Sequence, residues 1–145
     1  MSAPLYNADI LRLATNIPHH QRLTAPHATA ERRSPVCGSR IVVDVSLAPD
    51  GRILALGQEV RACALGQAAA SLMGAHAIGM ALQDIEAARD ALADFLAGKR
   101  DDPGAWPGLK IFAPARPHVA RHPSIRLPFE ALAEAVVQAL QGHDL

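Results

Sequence analysis

The chain has no surplus charge of either sign: fourteen lysine and arginine residues stand against fourteen aspartate and glutamate residues in a total of 145. That balance sets up no long-range field toward nucleic acid or an anionic membrane, so neither is an expected partner. Long apolar runs are missing too. No stretch approaches the roughly 18 consecutive apolar residues of a membrane span, and the opening MSAPLYNADILRL lacks the basic-then-apolar order of an export signal. The expectation is a soluble, unexported, cytoplasmic protein. Cysteine occurs only at Cys37 and Cys63. In a reducing compartment two thiols serve metals or sulfur chemistry more often than a structural disulfide. No G-x-S-x-G elbow accompanies Ser39 or Ser71, and the glycines of ALGQAAASLMG have neither dinucleotide-binding nor Walker spacing. Hydrolase and nucleotide-binding readings therefore lack support, and no catalytic residue is assigned.

What is present has the length of one domain, residues 1–145, able to bury a core without disulfide staples. YNADILRLA places Ile10, Leu13 and Ala14 at helical spacing before Pro18 interrupts. Residues 21–36 read as loop, with a weak alternation in HATAERR that fits an edge strand. RIVVDVSL alternates, with Ile41, Val43, Val45 and Leu47 on one face and Arg40, Asp44 and Ser46 on the other, which predicts a half-buried strand. The turn Ala48-Pro49-Asp50-Gly51 then leads into a second strand, RILALGQEV, giving an antiparallel hairpin. CALGQAAASLMGAHAIG turns to helix formers, with Cys63 at its N-terminus. DIEAARDALADFLAG predicts a helix capped by Asp84, striped by Ile85, Ala88, Leu92 and Phe95, and stopped by Gly98. After a turn-rich, proline-broken connection containing one short helix, PFEALAEAVVQAL predicts a final helix opened by Pro128, with Phe129, Leu132, Val136 and Leu140 facing inward. A hairpin followed by helices implies an α+β domain with helices on one face of a small sheet.

The hairpin returns the chain on itself, so Cys37 before its first strand and Cys63 after its second belong at the same end of the sheet. Gly38 permits close backbone approach to a ligand, and the helix N-terminus at Cys63, with Arg40 and Arg61 alongside, favours thiolate over thiol. A bland reading competes, in which each cysteine is a small buried hydrophobe.

Three motifs carry a family resemblance: PVCGS; a strand-turn-strand containing APDGRI; and VRACALGQAAASLM. Together with LYNADILRLATNIPHHQRL and RHPSIRLPFEAL they resemble the iron-sulfur cluster scaffold family of IscU, SufU and the NifU N-terminal domain. The resemblance implies a three-stranded antiparallel sheet packed by helices. It also implies a role in cluster assembly, not catalysis, in which cysteines receive sulfur from a cysteine desulfurase, hold a labile cluster or a zinc or iron ion, and pass it to apo iron-sulfur proteins. Carried over by motif, Cys37 matches the first ligand cysteine and Cys63 the second. The family's aspartate falls on Ser39 and its third cysteine on Ser124, while the histidine of the IscU branch falls on Pro123. Serine is a neutral hydroxyl at neutral pH and a poor ligand for zinc or cluster iron.

Three completions of the site stand open. His118 or His122 supplies a missing ligand; two chains each offer Cys37 and Cys63 to one [2Fe-2S] cluster in a homodimer; or the protein binds no metal and serves the assembly machinery as an interaction or regulatory protein. A reversible Cys37–Cys63 disulfide is a further rival, disfavoured by the absence of C-x-x-C. His19 and His20 read as exposed loop polarity, and His76 lies too far along its helix to join Cys63. Arg121 and Arg126 flank Ser124 and add positive charge if their segment folds back onto the thiols.

Overall fold

A computed structural model describes residues 5–35 and 38–142. Helix α1 (Ala8–Ala14) is followed by strands β1 (Ala28–Arg33), β2 (Arg40–Leu47) and β3 (Ile53–Arg61) and helices α2 (Ala64–His76) and α3 (Leu82–Leu96). Two 3-10 turns, Leu109–Ala115 and Val119–Arg121, lead into helix α4 (His122–Gly142). The sheet is antiparallel in the order β1-β2-β3, with Val43 opposite Ala30 on one side and Gln58 on the other. The alternation in HATAERR thus forms a real edge strand. Helix α4 packs on β1 and β2, α2 sits beside α4 and touches β3, and α1 and α3 add an outer layer over α2 and α4. This is the α+β architecture expected, with the helices on one face.

The core forms where the strand alternation meets the helix stripes. Ile41, Val43 and Val45 from β2 meet Leu65, Ala69 and Met73 from α2 and Phe129, Leu132 and Val136 from α4 in one buried cluster. Burying side chains of this size stabilises the fold by roughly 1.5–3 kcal/mol each. Trp106 joins α2 to α4: its indole N–H donates to the Leu72 carbonyl at 2.9 Å and its ring meets Phe129 edge-on at 5.2 Å.

The structure corrects three local expectations. Strand β2 is buried on both faces, not half-buried. The segment between α1 and β1 crosses its outer face and covers Asp44, which is fully buried. There Asp44 accepts from Arg22 Nε at 2.7 Å, Arg22 Nη2 at 3.2 Å, the Leu23 N–H at 2.9 Å and Thr29 Oγ1 at 2.6 Å. The same segment closes against β3 as the Gln58 N–H donates to the His19 carbonyl, and a Cβ at Gly57 would lie 2.5 Å from the Gln21 carbonyl oxygen. Helix α3 starts at Leu82, two residues before the predicted cap; Asp84 sits in the first turn and accepts from the Ala81 N–H at 3.0 Å. At its other end, Lys99 N–H bonds the Asp94 carbonyl and Gly98 N–H the Phe95 carbonyl, with Gly98 at φ +81, so the predicted glycine stop is present. Helix α4 begins at His122, six residues before Pro128. Pro123 lies in the first turn, where a missing N–H costs nothing. Pro128 lies inside the helix, where it has no N–H to donate to the preceding turn.

Candidate functional site

The end of the sheet away from the β2-β3 turn gathers three of the four residues singled out by motif. Ser39 directly precedes β2, Cys63 is the N-cap residue of α2 in extended conformation, and Ser124 sits in the first turn of α4. Ser39 Oγ and Ser124 Oγ are 2.9 Å apart, and Cys63 Sγ is 3.4 Å from Ser124 Oγ. Both serines are almost completely buried, whereas Cys63 is half-buried. Cys37, the fourth, lies outside the described residues. Its neighbour Gly38 has φ +72 with open space where a Cβ would be, a conformation that side-chain-bearing residues rarely adopt. The hairpin logic that placed Cys37 beside Cys63 therefore holds for Ser39, two residues on.

Gly66 allows α2 to approach this closely. A Cβ there would fall 2.8 Å from Ala62 Cβ, 3.0 Å from Ser124 Oγ and 3.2 Å from the Ser124 carbonyl oxygen. This close approach of α2 and α4 was not legible from the helix pattern, since glycine in ALGQ reads equally as a weak helix residue.

Among the described residues no hydrogen bond joins His118 or His122 to Cys63. His122 is buried, and its Nε2 lies 3.0 Å from both the Ala115 and the Arg116 carbonyl oxygens. Two acceptors place the proton on Nε2, where it ties the first 3-10 turn to α4. His118 is exposed at the start of the second turn. Among the described residues no group of three histidine, cysteine, aspartate or glutamate side chains is close enough to hold a metal ion. Arg40, expected to favour thiolate, sits between two carboxylates. It bonds Glu31 and Glu59 at 2.9 Å each, and those hydrogen bonds, to Glu59 first and then Glu31, raise its pKa. The hydrogen bond from Arg40 in turn lowers that of Glu31. Arg61 and Arg121 are exposed.

Among solved structures, the N-terminal part of a nitrogen-fixing NifU-like protein from Brucella abortus is 36% identical to this chain. The match covers 94% of this chain and 95% of that one, with a TM-score of 0.89. The chain belongs to the NifU-like iron-sulfur cluster assembly scaffold family. An iron-sulfur cluster assembly scaffold for the SUF system from Fervidobacterium islandicum shares the fold at 20% identity, over 91% of this chain and 96% of that one, with a TM-score of 0.84. No protein-family model and no curated protein sequence matches the chain. Scaffolds of this NifU-like family are not enzymes. No helix among the described residues is long and apolar enough to cross a membrane.

Proposed function

We propose that this NifU-like chain acts in iron-sulfur cluster assembly with Cys37 and Cys63 as its cluster ligands, and that two chains together supply the four thiolates of one [2Fe-2S] cargo. The observation that carries the reading is the Ser39-Ser124 hydrogen bond of 2.9 Å beside Cys63. A carboxylate and a third thiolate at these positions would crowd negative charge that a cation must offset. Two hydroxyls satisfy each other and add no anionic ligand. Each chain then offers two thiolates at most. His122 Nε2 is held by two carbonyls, so a metal could meet this ring only at Nδ1. A partly exposed Cys63 at one end of the sheet is open to a second copy, and a two-fold axis there brings equivalent sites together.

In this reading the cargo sulfur comes from a cysteine desulfurase and the assembled cluster leaves to apo iron-sulfur proteins, in the cytoplasm. The same hydroxyl pair favours a second reading, since it closes the site without any metal: an interaction or regulatory protein of the assembly machinery that keeps the scaffold fold. Anaerobic reconstitution with iron and sulfide separates the two. Visible charge-transfer absorption that travels with a dimer and vanishes in Cys37→Ala/Cys63→Ala is the outcome expected of the cluster reading. Absence of bound iron and zinc in the wild type leaves the metal-free reading.

A further inference from the structure

Although the chain is neutral overall, its charges are segregated around the site. The three segments that supply Ser39, Cys63 and Ser124, residues 32–43, 60–83 and 103–129, contain eight of the fourteen lysines and arginines and none of the fourteen carboxylates. Several of these cations are engaged elsewhere. Arg32 pairs with Glu130 and Glu134, Arg33 with Glu31, Arg40 with Glu31 and Glu59, and Arg126 with Glu130. Arg116 donates to the Phe95 and Arg100 carbonyls. Arg61 and Arg121 have no ion pair among the described residues, and both are exposed.

Their positions bracket the site. Arg61 is two residues before Cys63, and Arg121 is three before Ser124. A residue step spans at most about 3.6 Å, so both backbones lie within roughly a dozen ångströms of the Cys63-Ser124 contact. On strand register Arg61 stands directly opposite Arg40, which stands opposite Arg33. Like charges abreast across a sheet destabilise it, and only two glutamates are at hand to offset the three arginines. Next to Arg121, Val119 is 72% exposed and forms one wall of a groove of about 260 Å³ whose other walls are Ala93, Leu96, Ala97 and Pro123, with His122 and Arg126 at its polar edge.

We propose that the face around Cys63, with Arg61 and Arg121 on its rim and the Val119 groove beside it, docks a carboxylate-rich segment of a partner protein bearing an apolar side chain. Unpaired cations in a neutral molecule select an acidic partner by charge complementarity and speed its approach. The groove gives an apolar anchor its place. The inference rests on charge placement and holds whether or not the thiols carry metal.

The test uses the full-length protein in the presence of a chelator. The probe is a short fluorescent glutamate-rich peptide with one central leucine, alongside its lysine-rich counterpart, and binding is read by anisotropy. The glutamate peptide should bind wild type, weaken as salt rises, and bind Arg61→Glu/Arg121→Glu about tenfold more weakly or worse. Arg12→Glu/Arg52→Glu changes net charge equally outside the three segments and should leave binding close to wild type. The bound peptide should also slow alkylation of Cys63, read by mass spectrometry on the peptide containing it. Equal binding of the lysine peptide, equal loss in both double variants, or no protection of Cys63 would overturn the proposal. Salt-sensitive self-association without peptide binding would overturn it too, since the occupant would then be a second copy. Measured without metal, these outcomes are separate from the fate of the cluster reading.

Discussion

Asp44→Asn is the substitution whose cost can be worked most closely from the structure. The Asp44 carboxylate is fully buried and accepts four hydrogen bonds, two of them from Arg22, which clamp the segment between α1 and β1 onto the sheet. Asparagine keeps the shape but turns one acceptor atom into a donor, so at least one of the four donors meets another donor and Arg22 loses its counter-charge. Removing one partner of a buried pair costs about 3–5 kcal/mol. The Arg22 side chain is 46% exposed, and solvent screening there brings the expectation down to about 2–4 kcal/mol. With a urea slope of about 1–3 kcal/mol per molar, the unfolding midpoint should fall by on the order of 1 to 2 M with the slope unchanged. Burial alone would push the Asp44 pKa up, but the hydrogen bonds from Arg22, Thr29 and the Leu23 N–H, with the Arg22 charge, hold it below the usual carboxylate range. Asp44 therefore contributes stability that is complete above the unfolded carboxylate pKa, about 4, and is lost as pH falls through the lower folded value. Wild type should lose this component on acidification and Asp44→Asn should not. A midpoint unchanged at neutral pH, or parallel acid profiles for the two proteins, would refute the clamp.

Three other perturbations bear on the site and core. Gly66→Ala forces a Cβ against Ala62 and Ser124; overpacking of about 1–3 kcal/mol outweighs the roughly 1 kcal/mol gained in helix propensity, so a net loss in urea titration is expected. Ser124→Ala removes the bond to Ser39 and should cost about 1 kcal/mol in stability while leaving cluster loading at wild-type level, because the hydroxyl is not a ligand. Loading that falls with Ser124→Ala would make it one. Trp106→Phe leaves the Leu72 carbonyl without its indole donor and should lower stability by about 1–3 kcal/mol, measured by thermal unfolding followed by circular dichroism.

The legible parts of the fold were those written in local periodicity. Ile41, Val43 and Val45 alternate because one face of β2 meets the helices, and Gly98 follows Phe95 and Leu96 because α3 must turn there. What the pattern concealed was tertiary. Asp44 reads as a solvent-facing residue, since nothing local says that a segment some twenty residues upstream will cover it and answer its charge with Arg22. Pro123 reads as part of a proline-broken connection and Pro128 as the opening of the last helix, yet α4 passes through both: the first occupies a turn that needs no N–H, and the second sits in a helix held by the packing of Ile125, Phe129 and Leu132. Hairpin geometry draws Cys37 and Cys63 to one end of the sheet; Cys37 lies outside the described residues, and it is Ser39, two residues on, that the structure places at that end. That Ser124 would join them depended on the α2-α4 approach at Gly66, and the commitment of His122 to two carbonyls left no trace in its spacing from Ser124.

The measurement closest to the central claim is the iron and sulfide content per chain after anaerobic reconstitution, determined on the gel-filtered species together with its molecular mass. A [2Fe-2S] cluster shared through Cys37 and Cys63 of two chains should give about one iron and one sulfide per chain on a dimer, both lost in Cys37→Ala/Cys63→Ala. Two irons per chain on a monomer would contradict the claim, because a single chain would then be completing the site with ligands other than its two thiols.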